Sequence, residues 1–168
     1  MKKYHISFYI FLCFSIILTG YIVISSCLKG SDSSSQSGRM VDFFKMIING
    51  IFPHTINEEN IGWFTNFIRK GIGHYGAFLV DGVFISLTLY FYCLIKEKTF
   101  YFLQLVIVLP IGALLAILTE SIQLIVPNRS GEVLDMLIDF SGYLTGFLVL
   151  IFIYYLIDKK KHSNKVNA

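Results

Sequence analysis

Four long apolar runs separated by short polar breaks dominate the chain: Ile6 to Leu28, Ile72 to Ile95, Phe100 to Val126 and Leu134 to Ile157. Each exceeds the roughly 20 residues that cross a 30 Å hydrocarbon core. Inside hydrocarbon the backbone hydrogen bonds must be met within each segment, so these runs predict helices. The fold class expected is an all-α integral membrane protein, a four-helix transmembrane bundle. Between the first two runs the pattern changes. Gly30 to Gly38 is Ser-rich and reads as a flexible linker. From Val41 to Ile51 the apolar residues Val41, Phe44, Ile47, Ile48 and Ile51 recur at helical spacing. They predict a short amphipathic segment lying on the membrane surface. Pro53 follows it, and Trp63 and Phe64 suit the interface ahead of the second run.

Composition agrees with the pattern. Of the 168 residues, 55% are hydrophobic and only 15% are charged, against about 25% charged in soluble domains. The resulting organisation is a start at 1–5, a first span at 6–28, a loop at 29–71, a core of three spans at 72–157 and a basic tail at 158–168. The first span follows Lys2 and Lys3 but is longer than the apolar core of a signal peptide, so it reads as a retained helix. Ile24-Ser25-Ser26-Cys27 also fits a bacterial lipoprotein cleavage box, although small residues commonly end helices. Cys13, Cys27 and Cys93 have no paired spacing, so neither a disulfide framework nor a zinc site is implied.

Lysine and arginine bias sets orientation. Lys2 and Lys3, Lys96 and Lys98, and the tail Lys159-Lys160-Lys161-His162 with Lys165 all fall on one side of a four-span topology. The opposite loop carries Lys29, Arg39, Lys45, Arg69 and Lys70, mixed with Asp32, Asp42, Glu58 and Glu59. Both termini are therefore expected in the cytoplasm and the loop outside. Contacts with membrane lipids follow, and nothing suggests nucleic acid binding.

The candidate chemistry lies where ionisable residues enter the spans, since a charge at mid-bilayer costs about 2.5–3.5 kcal/mol. Lys70, His74 and Asp81 are on the second span; His74 and Asp81, seven apart, are expected on one face. Glu120 and Gln123 share a face of the third. Asp135, Asp139, Gly142 and Gly146 form a stripe on the fourth. Topology brings Lys70, His74, Glu120, Gln123, Asp135 and Asp139 to the same outer half of the bilayer, and the loop Pro127 to Gly131 adds Arg129 and Ser130. One polar pocket near that surface is expected, with Asp81 about 10 Å deeper than His74.

At these residues the chain resembles the VanZ-like family, membrane proteins named for a member that confers low-level teicoplanin resistance. The resemblance covers essentially the whole chain. Its most specific part is Glu120-x-x-Gln123, Pro127-x-Arg129-Ser130, Asp135 with Asp139 in an Asn/Asp position, and Gly142-x-x-x-Gly146. Arg69-Lys70 with His74 resembles a basic-plus-His signature, and Ser25-Ser26 with the later serines resembles a Ser-rich segment. Two departures stand out. The family step from Lys to His is three residues and here it is four, and Ala77 and Phe78 replace a Glu and an aromatic. The resemblance implies a bacterial plasma-membrane protein that lowers susceptibility to teicoplanin-type glycopeptides or serves a related envelope function.

The residues support several readings. Glu120, Arg129, Asp135 and Asp139 can be an ion-pair network that only packs helices, since breaking a buried pair costs about 3–5 kcal/mol. They can also line a working pocket. There Arg129, with Lys70, Gln123 and Ser130, would bind the anionic headgroup of a lipid-linked cell-wall precursor. Glu120, His74, Asp135 and Asp139 are the candidate catalytic groups, with Glu120 or His74 as general base. Alternatively nothing is turned over and drug access is altered by binding alone, or the acids relay protons or ions. No broken helix or second repeat supports transport. Gly142 and Gly146 are expected to pack helices closely. Asp135 and Asp139 with Glu120 offer oxygen ligands for a hard cation, but without a tight acidic motif neither a metal nor any other cofactor is expected.

Overall fold

The computed structural model describes residues 2–98 and 100–166, with only the backbone described at 2, 3, 100, 101 and 161–166. The side chains of Lys2, Lys3, Lys161, His162 and Lys165, cited above for orientation, lie outside the described residues. Helix α1 runs Lys2–Cys27 and α2 Gly30–Ile51. Helix α3 runs Ile61–Lys96, α4 Gln104–Ile125 after a lead-in turn at Phe100–Leu103, and α5 Val133–Val166. Among the described residues four helices, α1, α3, α4 and α5, are long and apolar enough to cross a membrane. The chain folds as the helical membrane bundle that the apolar runs predict.

Two features differ from the sequence expectation. The Ser-rich stretch expected to be a flexible linker is helical: α2 begins at Gly30 and is continuous to Ile51. Its first two turns are tied down, which supplies what Ser and Gly lack in helix propensity. The Gly30 N–H donates to the Pro127 carbonyl (3.2 Å), and Gln36 Nε2 donates to Tyr21 Oη (2.8 Å). Second, α3 starts at Ile61, well before the apolar run, and is π-helical from Ile68 to Gly76. That wider segment contains Gly71, Gly73 and Gly76, which lower the helix propensity locally. π-Helical segments are rare and concentrate at functional sites.

Helix α3 is the hub, packed on both α1 and α5. On the α1 side, Phe11 stacks on Phe91 and Phe14 on Phe84, with centroids 5.5 and 5.4 Å apart. On the α5 side, small residues let backbones meet. A Cβ added at Gly142 would collide with the Tyr75 backbone, one at Gly146 with the Leu79 carbonyl, and one at Gly82 with the Tyr143 carbonyl. Ile22, Phe78, Val108, Leu115, Tyr143 and Phe147 fill the core of the bundle. A second cluster of Val41, Ile56, Phe64 and Ile68 fixes α2 on the early turns of α3. The outward apolar residues, such as Ile16, Leu114 and Phe152, are exposed, as a lipid-facing surface requires. The ends of α1 and α4, the starts of α3 and α5, and all of α2 gather at one end of the bundle.

Candidate functional site

At that end, polar side chains from α3, α4 and α5 converge in three linked groups. The first is built on α3 and α5, where a four-residue step on one helix meets a four-residue step on the other. Lys70 Nζ donates to Asp135 Oδ1, and His74 Nδ1 lies 3.0 Å from Asp139 Oδ1. Lys70 also donates to Glu132 Oε2 at 3.1 Å. Asp135 and Asp139 are buried, whereas the Glu132 side chain is about half exposed.

The second group centres on Glu120, which is fully buried at the end of α4. Gln123 Nε2, three residues on, donates to Glu120 Oε1 (2.7 Å), and the Glu132 backbone N–H donates to Oε2 (3.1 Å). The carboxylate thereby satisfies a donor ahead of α5. Its Oε1 is 4.0 Å from His74 Nδ1, so the imidazole bonded to Asp139 also lies next to Glu120. These three side chains present one nitrogen and two oxygens, all within 4.8 Å of one another, an arrangement among the described residues that could hold a metal ion.

The third group is the loop between α4 and α5. Arg129 donates from a guanidinium nitrogen to the Ser25 carbonyl at the end of α1 (3.0 Å). It is part of no ion pair among the described residues, so the expected network of Glu120, Arg129, Asp135 and Asp139 divides into carboxylates served by Lys70 and His74 and an arginine bound to backbone. Partial burial and the nearby positive charge of Arg69 both push the Arg129 guanidinium below its usual pKa. Ser130 is exposed at the surface of the same loop.

A cavity of about 120 Å³ opens between these groups and α2. Arg129, Arg69, Ser25, Ser33, Ser37 and Gln36 give it a polar wall; His74, Asp139 and Gln123 lie at its inner side. Lys70, Glu120, Asp135 and Ser130 do not line it. A larger apolar groove of about 620 Å³ runs along the same stripe of α1 between α3 and α4, past Phe8, Leu12, Ser15 and Thr19. In the pocket, Ile22 and Ser26 continue that stripe at four- and three-residue steps.

Asp81 stands apart. Although it is seven residues from His74, the two meet different helices: Thr19 Oγ1 of α1 donates to Asp81 Oδ1 (2.9 Å), while His74 meets α5. The π-helical stretch that holds His74 interrupts the regular repeat on which a shared face was expected. Sequence reasoning missed Glu132, whose position one turn before Asp135 is the signal that would have found it, and the pocket role of Gln36 on α2. It also missed Gln104, fully buried on α4 and donating to the Ser86 carbonyl (2.9 Å).

Neither a curated protein nor a solved structure matches the chain. The family described as VanZ/LLP1 matches residues 9–155, which takes in the second and third spans, nearly all of the first and most of the fourth, and every polar group above. This chain therefore belongs to the VanZ-like family.

Proposed function

We propose that this chain works in a bacterial plasma membrane with both termini in the cytoplasm, and that its pocket faces the outer leaflet and holds the anionic headgroup of a lipid-linked envelope component. Lysines beside both chain ends and in the turn between α3 and α4 support that orientation. The observation that carries the reading is the presence of Arg69 and Arg129 on the wall of one cavity whose remaining polar lining is mostly neutral hydroxyl and amide. Two guanidiniums kept close together repel each other, and an anion between them removes that repulsion. Guanidinium groups also match phosphate and carboxylate oxygens in pairs. Ser33, Ser37 and Gln36 of α2 add neutral donors to the same wall. The apolar groove that continues along α1 suits a lipid tail.

Family membership supports the biological role: lowered susceptibility to teicoplanin-type glycopeptides, reached by occupying or masking a surface component. Binding without turnover is the simpler reading, because the candidate bases His74 and Glu120 are both already engaged by side chains of the bundle. The deciding experiment is teicoplanin susceptibility of a sensitive Gram-positive host expressing wild type, Arg129→Ala or Arg69→Ala at matched membrane abundance. Protection by wild type that both variants lose supports the pocket. Protection that survives both substitutions refutes it. Variants that fail to accumulate would assign Arg129 to folding, through its bond to Ser25.

A further inference from the structure

Lys70 is bonded to Asp135 and Glu132, and Arg129 to a backbone carbonyl. As ion-pair partners among the described residues, Glu120 and Asp139 are therefore left with His74 alone, the charge of Arg129 acting on Glu120 only from farther away. Both carboxyl groups are fully buried. Glu120 is held in orientation by one hydrogen bond to each oxygen. Asp139 is satisfied only on the Oδ1 side; its Oδ2 is buried with no hydrogen-bond partner. A buried acceptor left unmet is destabilising, the more so when charged, and native structures rarely keep one without a purpose. Two carboxylates confronting a single imidazole at the inner side of a cavity are short of positive charge.

We propose that His74, Glu120 and Asp139 form a binding site for one divalent transition-metal ion. Metal–nitrogen and metal–oxygen distances of about 2.0–2.2 Å place two ligands of one ion no more than about 4.4 Å apart. His74 Nδ1 already lies 3.0 Å from Asp139 Oδ1 and 4.0 Å from Glu120 Oε1. The carboxylate oxygens, within 4.8 Å of one another, need only small side-chain rotations to close. The imidazole nitrogen favours iron or zinc over magnesium and calcium, and the two carboxylates also suit manganese. Gln123 and the Glu132 N–H hold the ligand carboxylate of Glu120, a support that metal sites regularly require. Three protein ligands leave a position open, and His74 and Asp139 reach the cavity from it. Asp135 is excluded, since Lys70 occupies it.

The test uses full-length, tag-free protein in nanodiscs and Mn2+ as probe, because the exposed Cys13 and Cys27 thiols would compete for zinc. Titration followed by the EPR signal of free Mn2+ is expected to show saturable uptake of about one ion per chain. Pulsed EPR of the bound ion is expected to show coupling to an imidazole nitrogen. Asp139→Asn and Glu120→Gln should each weaken binding at least about tenfold, and the exposed carboxylate variant Asp42→Asn should not. Absence of a saturable site, absence of nitrogen coupling in wild type, or equal affinity in Asp139→Asn overturns the proposal. The wild-type spectrum decides alone if a variant does not fold. The nanodiscs are made of zwitterionic phosphatidylcholine and hold no lipid-linked envelope component, so the outcome does not depend on binding of such a component.

Discussion

Arg129 reaches across 104 residues of sequence to donate to the carbonyl oxygen of Ser25, joining the loop between α4 and α5 to the end of α1. The last carbonyls of a helix have no partner within it, and a charged donor serves one of them here. The Gly30 to Pro127 bond lies alongside, so the start of α2 is fastened to the same loop. Arg129→Ala should lower stability by about 1.5–3 kcal/mol, the range for hydrogen bonds to charged groups. Arg129→Lys should recover part of that. Thermal unfolding in detergent, read by loss of helical circular dichroism, measures both.

Lys70 divides its bonds between unequal partners. Its contact with Glu132 is largely solvated, the Glu132 side chain being 47% exposed, whereas Asp135 is 1% exposed. Glu132→Gln should therefore change stability by no more than about 1 kcal/mol. Lys70→Met leaves a buried carboxylate without its cation and should cost about 3–5 kcal/mol. The double variant Lys70→Met/Asp135→Leu should be more stable than Lys70→Met alone. A double variant no better than the single would show that Lys70 does not compensate Asp135.

The α3–α5 contact depends on absent side chains. Gly146→Ala and Gly142→Ala drive a methyl group into the backbone of Leu79 and Tyr75. Because backbone cannot turn aside as a flexible side chain does, each should cost at least about 1–3 kcal/mol. Gly38 and Gly50 on α2 have nothing within 4 Å of an added Cβ. There the same change should stabilise by about 0.5–1 kcal/mol through helix propensity. Opposite signs in thermal unfolding are the expected result, and equal losses at all four positions would contradict the packing.

Asp81 accepts from Thr19 on one oxygen, and its other oxygen is buried without a partner. Thr19→Val removes that donor and should cost about 1–3 kcal/mol. Asp81→Asn keeps the shape, and since Asp81 lies outside the pocket, it should leave teicoplanin susceptibility of an expressing host unchanged. Loss of protection at normal abundance would instead tie Asp81 to function.

The membrane spans were legible because hydrocarbon imposes one solution on a long apolar run, whatever the neighbouring helices do. The gathering of His74, Glu120, Gln123 and Asp139 was legible from topology and helical spacing alone. The partners were not. Arg129 bonds a carbonyl that no side-chain pattern reveals, and Lys70 is shared with Glu132, which sits ahead of the apolar run rather than inside it. The helical start of α2 was hidden for a similar reason. Its serines and glycine favour a linker by composition, and contacts with Pro127 and Tyr21, distant in sequence, override that preference.

The π-helical stretch of α3 bears on how chain length varies in such a protein. A π turn, closed by hydrogen bonds five residues apart, takes up one residue more than an α turn. The four-residue step from Lys70 to His74 falls wholly within it, and the two residues meet successive acids of α5. A stretch of this kind serves as a phase adjuster. It absorbs an added residue by broadening, so that the register above and below need not slip. Removing one residue between Gly71 and Gly73 would let the stretch narrow to α-helical geometry, with Lys70 still facing Asp135 and His74 and every residue after it in place.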